Sequence, residues 1–188
     1  MSRIGKQPII LPKEVSVKIE DDRIYVKGPL GELSQNIPPQ ICVILEGGNV
    51  IKVARTSEEK KVKALHGLTR VLINNMVVGV TQGFKKSLEL VGAKYKVDLK
   101  DGKLIFRLGY SHNVEFIPPE GINISLDKNI ITVSGIDKYL VGETAARIRR
   151  LKPPEPYHGT GIKYVDEQIK RKVGKAMAAI GSGVGGKK

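Results

Sequence analysis

The strongest constraint on the fold is an internal repeat with a spacing of 80 residues. When the sequence is shifted against itself by this interval, it aligns without a gap, and the triplet Ile37 to Pro39 falls on Ile117 to Pro119. The acidic turn residue Asp21 falls on Asp101 in the same alignment. Coincident prolines and a coincident turn indicate duplication rather than shared strand periodicity alone. The remaining matches pair apolar residues: Val17 with Val97, Ile19 with Leu99, Ile24 with Leu104, Val26 with Phe106, Ile44 with Ile124, Val50 with Ile130, Ile51 with Ile131, Val53 with Val133, and Leu68 with Ile148.

Each copy begins with a pattern that is typical of antiparallel hairpins. Apolar and polar residues alternate over residues 15–20 and again over 24–26, with an acidic turn between the two runs. A second hairpin is predicted where residues 41–45 and 50–53 flank Gly47, Gly48 and Asn49, because these turn residues tolerate positive φ.

The period then changes to that of a helix. Thr56 and Glu59 have the spacing of a capping box, and Gly79 and Gly83 are predicted to end the helix. Its core stripe is predicted to be Val62, Leu65, Leu68, Leu72 and Met76. A second helix, about Asp137 to Leu151, has the stripe Val141, Ala145 and Ile148.

These patterns predict an α+β protein made of two tandem copies of an antiparallel-sheet-plus-helix module. The predicted segments are an N-terminal extension at residues 1–14, modules at 15–82 and 83–151, and a basic C-terminal loop, helix and tail at 152–188. The C-terminal helix is placed at Val165 to Ile180 by its apolar stripe.

Positive charge is concentrated at the C-terminal end. The chain carries 32 basic and 19 acidic residues, a net charge of +13. Residues 147–188 hold 11 basic and 3 acidic residues, a net of +8, which leaves only +5 for the first 146 residues. Such asymmetry indicates that the C-terminal end faces a polyanionic partner.

The residues of this end have the chemistry of a phosphate-binding surface. Arginine guanidinium groups present planar donor forks that match phosphate, and glycines leave backbone amides open to close approach. At the positions of the three arginines the first helix has Gly67, Thr69 and Arg70, so the second module is predicted to carry most of the binding. The predicted binding residues are Arg147, Arg149, Arg150, Lys152, Tyr157, His158, Gly159, Thr160, Gly161, Lys163, Arg171, Lys172 and Lys175.

Other site chemistries find little support in the sequence. No nucleophile, base and orienting group are arranged as catalysis requires, and the three histidines lack a second metal ligand at short spacing. Cys42 is the only cysteine, which excludes an internal disulfide, and it is predicted to be a small core residue. No cofactor, metal, small-molecule substrate or membrane partner is expected.

The kind of nucleic acid is indicated by the aromatic content. Aromatic residues make up 5% of the chain and tryptophan is absent, which disfavours stacking along a single strand and favours phosphate contact with folded RNA. Charge alone leaves DNA open. Tyr157 is either a core or loop anchor or a platform that stacks on a base or sugar.

Four segments resemble the large-subunit ribosomal protein L-six family of bacterial type. They are SRIGKQPI at the start, ALHGLTR at 64–70, LGYSH at 108–112 and KPPEPYHGTGIKY at 152–164. The resemblance spans essentially the whole chain and implies a two-domain protein without catalytic activity. It implies binding of large-subunit rRNA, mainly through the second domain, near the sarcin-ricin loop and the base of the factor-binding stalk. The family usually has lysine where this chain has His158 and Thr160, so these two positions are expected to contribute less charge.

The prediction is therefore a structural, rRNA-binding constituent of the large ribosomal subunit, with neighbouring ribosomal proteins near the stalk base as further partners. Its expected location is the ribosome in a bacterial cytoplasm or an organelle, with a plastid favoured over a mitochondrion. The alternatives are an RNA-binding or RNA-chaperone module outside the ribosome and an enzyme acting on an anionic substrate.

Overall fold

The computed structural model describes residues 3–20 and 22–172. The first half of the chain contains these elements: β1 (Ile9–Ile10), β2 (Ser16–Glu20), β3 (Arg23–Gly28), β4 (Gly31–Asn36), β5 (Ile41–Glu46), β6 (Val50–Arg55) and α1 (Lys60–Thr81). The second half contains these: β7 (Phe84–Val91), β8 (Lys96–Lys100), β9 (Lys103–Arg107), β10 (Val114–Phe116), β11 (Ile122–Asp127), β12 (Ile130–Gly135), α2 (Lys138–Leu151) and β13 (Gly161–Tyr164).

The sheets repeat the same strand order in both copies, which confirms the duplicated α+β module. In the first copy β2, β3 and β4 form one antiparallel sheet, and a second sheet has the order β1-β6-β5. In the second copy the corresponding sheets have the orders β10-β9-β8 and β11-β12-β7-β13. The second copy thus differs by the added strand β13, which pairs antiparallel with β7.

Both predicted hairpins of the first copy are present. In the first hairpin Ile19 pairs with Ile24, as the alternating pattern requires. In the second hairpin β5 pairs with β6, and Gly47 and Gly48 turn the chain with φ values of +58° and +75°. The sequence did not predict β4, because its alternation of half-buried and exposed residues rests on one large apolar side chain, Leu33.

The predicted core stripe of α1 is wrong in part. Leu68 is 53% exposed, whereas Thr69 and His66 are each 3% exposed. His66 is accommodated because its Nε2 lies 2.8 Å from the carbonyl oxygen of Val53 and its Nδ1 lies 3.3 Å from Nη1 of Arg55. Apolar residues occur on several sides of this helix, so hydrophobicity alone selected the wrong face. The residues buried along α1 are Val62, His66, Thr69, Ile73, Met76, Val77, Gly79 and Val80.

The two ends of α1 also differ from their prediction. The capping box is absent, because the hydroxyl of Thr56 donates to the carbonyl oxygen of Gln40 at 3.2 Å and Glu59 caps without a side-chain hydrogen bond. Gly79 lies inside the helix, which continues to Thr81 before Gly83.

The repeat slips by one residue within the helices. The predicted stripe of α2 is confirmed, with Val141, Ala145 and Ile148 at most 1% exposed. The buried residues of α1 that correspond to them are Val62, His66 and Thr69, each 79 positions earlier. Ile148 therefore corresponds to buried Thr69 rather than to exposed Leu68. Arg149 then corresponds to Arg70, and the predicted match of Arg149 to Thr69 is wrong.

The N-terminal segment contributes to the core of the first copy. Ile9 pairs with Ile51 and is 2% exposed, and the N–H group of Leu11 donates to the carbonyl oxygen of Asn49 at 2.8 Å. Cys42, predicted to lie in the core, is exposed. Its neighbour Ile41 faces inward, so the alternation of β5 turns Cys42 to the opposite face.

The chain divides into two units. Unit 1 joins Met1–Lys85 to Ser134–Val141, and unit 2 joins Lys86–Val133 to Gly142–Lys188. Unit 2 contains every predicted binding residue. The module boundaries predicted at residues 83 and 152 stay a prediction.

The predicted C-terminal helix is wrong over the part that the structure describes. Residues 165–172 form a turn followed by a segment without helix or strand, and residues 173–180 lie outside the described residues. The backbone N–H groups here are committed elsewhere, since Glu167 donates to the carbonyl oxygen of Tyr164 at 3.0 Å and Lys172 donates to that of Pro156 at 2.8 Å. A helix from Val165 would have required the N–H group of Lys172 for a bond to the carbonyl oxygen of Gln168.

Candidate nucleic-acid interface

The centre of the candidate site is the segment 152–161, called here the C-terminal loop. Pro153 and Pro154 follow the end of α2, where proline cannot continue the helical hydrogen bonds. The loop closes on itself, because the backbone N–H group of Glu155 donates to the carbonyl oxygen of Thr160 at 3.0 Å. The N–H group of Ile162 donates to the carbonyl oxygen of Lys152 at 2.7 Å, and the chain then enters β13. The loop is therefore anchored at its base to both α2 and the sheet.

Gly161 allows the two ends of this loop to meet. A Cβ atom at this position would lie 2.7 Å from the carbonyl oxygen of Pro153 and 2.8 Å from that of Lys152. The φ value of Gly161 is +142°, a conformation that other residues rarely adopt. Glycine is thus required here for the close approach of backbone to backbone within the loop.

Arg149 is held by an ion pair inside unit 2. Its Nε and Nη2 atoms donate to the two carboxylate oxygens of Glu167 at 2.9 and 2.5 Å, and its guanidinium lies 5.9 Å from the ring centre of Tyr164. The hydrogen bonds from Arg149 lower the pKa of the Glu167 carboxyl below its ordinary value. The Arg149 fork therefore fastens the segment after β13 to α2.

This ion pair predicts an acid-dependent contribution to stability. A lowered pKa in the folded state means that the stabilisation is present above the ordinary carboxyl pKa of 4.5 and is lost as the pH falls through the folded-state value. We expect Glu167→Gln to reduce the free energy of unfolding at pH 7 by about 0.5–1 kcal/mol, because solvent screens the pair. The variant should also show a shallower loss of stability in urea titrations as the pH falls below the ordinary carboxyl pKa of 4.5. Asp166→Asn is the matched control, and an identical acid profile for Glu167→Gln and wild type would contradict the assignment.

Arg147 and Arg150 remain open to solvent. Oε1 of Glu143 lies 3.5 Å from Nε of Arg147 and 3.8 Å from Nη1 of Arg150. The side chains of Arg147 and Arg150 are 59% and 70% exposed. Exposed pairs with this geometry contribute little to stability and are readily exchanged for another anion. These two guanidinium groups can therefore turn to an external phosphate.

Two lysines at the base of the C-terminal loop have internal partners. Nζ of Lys163 lies 3.0 Å from a carboxylate oxygen of Glu89 on β7, with 24% of the lysine side chain exposed. Nζ of Lys152 lies 4.6 Å from the ring centre of Tyr110 and 6.0 Å from that of Tyr95. A lysine over an aromatic ring keeps its charge, so Lys152 can still attract an anion.

The tip of the loop is exposed. Tyr157 is 52% exposed, so it acts as no core anchor, and the side chain of His158 is 82% exposed. Nδ1 of His158 lies 2.7 Å from Oε1 of Glu155, and this hydrogen bond lowers the pKa of the Glu155 carboxyl. The imidazole and the phenol are therefore presented outward from a loop whose backbone is closed.

Further cations fold back onto this loop. The backbone hydrogen bond from Lys172 to Pro156 places residues 170–172 beside it, and the guanidinium of Arg171 lies 3.6 Å from the position that a Cβ would take at Gly159. Arg171 and Lys172 are exposed. The predicted residues from 147 to 172 are thus assembled around one loop, whereas Lys175 lies outside the described residues.

The sequence did not predict the acidic partners. Glu89 on β7 lies far in sequence from Lys163, and Glu167 after β13 lies on a different segment from Arg149, so only the fold brings these partners together. Sequence spacing could have suggested the pair of Glu143 with Arg147, which are four residues apart on one helix.

No helix among the described residues is long and apolar enough to cross a membrane. Those residues also contain no group of three or more histidine, cysteine, aspartate or glutamate side chains that could hold a metal ion.

The chain matches the family model described as ribosomal protein L6 in two segments, residues 11–83 and 91–165. The starts of these segments are 80 residues apart. The chain is 55% identical over 180 residues to the large ribosomal subunit protein uL6 of Synechococcus sp. (strain JA-3-3Ab), with 95% of this chain and 99% of the relative covered. It is 54% identical over 176 residues to the uL6 protein of Carboxydothermus hydrogenoformans, covering 93% and 96% of the two chains, and 52% identical over 187 residues to that of Chloroflexus aggregans, covering 95% and 100%. The duplicated fold and these similarities lead to one assignment: the chain belongs to the ribosomal protein L6 family, whose members are structural proteins and not enzymes.

Proposed function

We propose that the chain is a structural constituent of the large ribosomal subunit and that it binds rRNA chiefly through the second module and the C-terminal segment. The names of the relatives support the first part, since each is a large ribosomal subunit protein. The observation that carries the second part is the assembly of exposed cations around one loop closed by backbone hydrogen bonds. Arg150, Arg171 and Lys172 are all exposed at this loop. The guanidinium of Arg150 contacts a carboxylate only weakly, since its Nη1 lies 3.8 Å from Oε1 of Glu143.

The mechanism follows from the division of the cations into two groups. Arg149 and Lys163 form close internal ion pairs that hold the C-terminal loop in place. The exposed cations then neutralise phosphates and release the counterions bound to the RNA, which provides most of the affinity. Thr160 and the exposed His158 can add hydrogen bonds to phosphate or ribose, and such contacts orient the RNA helix without reading its sequence.

The finer assignments are part of the same proposal. The rRNA elements are the sarcin-ricin loop and the base of the factor-binding stalk, with neighbouring ribosomal proteins close by. The ribosome would lie in a bacterial cytoplasm or in a plastid, and the bacterial and cyanobacterial sources of the relatives support both locations. The functional division of the chain is proposed to follow modules 15–82 and 83–151 and the segment 152–188.

The test is the salt dependence of binding after removal of exposed cations. We expect the triple variant Arg150→Ala, Arg171→Ala and Lys172→Ala to bind large-subunit rRNA about 10-fold or more weakly near physiological salt. The slope of log affinity against log salt concentration should become shallower by about 2–3, because each neutralised phosphate contributes nearly one counterion. Filter binding over a salt series measures both quantities.

The matched control removes the same charge elsewhere in unit 2. Lys100, Lys103 and Lys128 are exposed residues at or near hairpin turns, and their triple alanine variant should change the slope little. Equal losses in both triple variants would show that binding follows net charge rather than this loop. Failure of the wild-type protein to co-sediment with large subunits would refute the ribosomal assignment.

A further inference from the structure

The two copies differ sharply in one hairpin of unit 2. In the first copy β3 and β4 are paired from Arg23 with Asn36 to Gly28 with Gly31, and two residues make the turn. In the second copy the pairing of β9 and β10 stops at Phe106 with Val114, and six residues connect the strands. We call these six residues, Leu108 to Asn113, the 108–113 loop. Because the first copy folds with a tight turn here, the fold itself does not require the longer loop.

The 108–113 loop presents two aromatic rings to solvent. Tyr110 is 47% exposed, and Ser111, His112 and Asn113 are exposed. The rings of Tyr110 and His112 are nearly parallel, with an interplanar angle of 20° and centres 6.3 Å apart. Leu108, at 1% exposure, anchors the start of the loop in the core. The loop thus combines a buried anchor residue with two exposed and nearly parallel aromatic rings.

This aromatic surface is held in place by the C-terminal end of α2. The hydroxyl of Tyr110 donates to the carbonyl oxygen of Leu151 at 3.1 Å, and the ammonium of Lys152 lies 4.6 Å from the centre of the same ring. Lys152 is also the first residue of the C-terminal loop. The Tyr110 ring is therefore held before any ligand binds, which lowers the entropic cost of binding, and a cation lies next to it.

We propose that the 108–113 loop is a stacking platform for one unpaired nucleobase of the bound RNA, with Lys152 beside the phosphate of that nucleotide. An aromatic ring stacks on the π-face of any base, and Ser111 and Asn113 offer hydrogen-bonding groups to a base edge. The neighbouring cation favours an anionic ligand over an apolar peptide segment. A single platform also agrees with the low aromatic content, which disfavours stacking along an extended strand. This inference rests on the proposed rRNA binding, and it adds a base contact to a surface otherwise made of phosphate contacts.

The test compares two substitutions of one exposed residue in the full-length protein. His112→Leu removes the planar ring but keeps an apolar side chain, whereas His112→Phe keeps a ring that can stack. With large-subunit rRNA of the Synechococcus relative as the probe, we expect His112→Leu to bind about 5- to 30-fold more weakly and His112→Phe to stay within about 3-fold of wild type. The salt slope should be the same for all three proteins, because no phosphate contact is lost. Chemical probing should show one unpaired base that is protected by wild type and His112→Phe but not by His112→Leu.

Each result separates this inference from the proposed function. If wild type binds the rRNA with a steep salt slope and His112→Leu binds equally well with the same base protections, the platform is refuted and rRNA binding stands. If wild type shows no salt-dependent binding, the proposed function itself fails. If His112→Leu binds free rRNA normally but assembles poorly into subunits, the loop contacts a protein instead, which also overturns the inference. Circular dichroism of both variants checks that the fold is intact.

Discussion

Gly161→Ala is expected to lower the free energy of unfolding by about 3–5 kcal/mol and the affinity for large-subunit rRNA by about 100-fold. The added Cβ would lie 2.7 Å from the carbonyl oxygen of Pro153 and 2.8 Å from Cα of Pro154. Backbone atoms cannot rotate away as a side chain can, so the two ends of the C-terminal loop must separate. That separation breaks the hydrogen bond between Ile162 and Lys152, which fixes the loop to the sheet. Urea denaturation and filter binding measure the two losses.

Gly159→Ala is the matched control in the same loop. Gly159 has a φ of +75°, but the nearest atom to an added Cβ lies 3.6 Å away, which is an ordinary contact. Its substitution should cost only the strain of a positive φ, about 1–2 kcal/mol. Equal losses for the two alanine variants would show that backbone conformation, and not the close approach at Gly161, determines the stability of the loop.

Most of the fold could be predicted from the sequence, because alternating apolar and polar residues indicate strands and glycine and proline indicate turns. Residues 15–20 and 41–45 show this clearly, and the internal repeat fixed the architecture of the second copy from that of the first. The face of α1 was not predictable in the same way. The buried face of α1 includes two polar residues, His66 and Thr69, where the hydrophobic pattern predicts apolar ones. His66 can be buried there only because its ring hydrogen-bonds to the carbonyl oxygen of Val53 in the neighbouring strand.

The candidate site was predicted as a set of residues but not as an arrangement. Arg149 and Arg150 are adjacent in sequence, yet one is held by Glu167 and the other is 70% exposed. This difference arises because β13 places the following residue Glu167 beside Arg149 and not beside Arg150. Local sequence spacing does not contain that information. The predicted helix after Val165 was wrong over its described residues for the same reason, since contacts with the loop and with α2 override its helical periodicity.

The placement of Tyr110 and His112 could not be predicted from the sequence for a related reason. The segment LGYSH was noticed as a family resemblance, but nothing in it indicates that Tyr110 reaches the end of α2. The difference between the equivalent hairpins of the two copies indicates a separate role for this loop instead. A duplicated protein therefore carries an internal control, because a feature present in one copy and absent from the other is not required by the shared fold.

Gly79→Ala is expected to destabilise the protein by about 3–5 kcal/mol, although Gly79 lies inside α1. Glycine to alanine within a helix ordinarily stabilises by up to about 1 kcal/mol, because alanine restricts the unfolded chain. Here the added Cβ would collide with the carbonyl oxygen of Ile136, and Cε2 of Phe84 lies 3.2 Å from the same position. Since Val77 and Val80 on either side are at most 5% exposed, α1 cannot shift without opening the core of unit 1.

Gly142→Ala provides the matched helical control. Gly142 lies within α2, and no atom comes within 4 Å of an added Cβ, so this variant should gain about 0.5–1 kcal/mol. The two substitutions are chemically identical and both are helical, so the opposite signs would isolate the contact between Gly79 and Ile136 as the cause. Thermal and urea denaturation of both variants decide the matter. Stabilisation by Gly79→Ala would mean that α1 and residues 134–141 are not in close contact in solution.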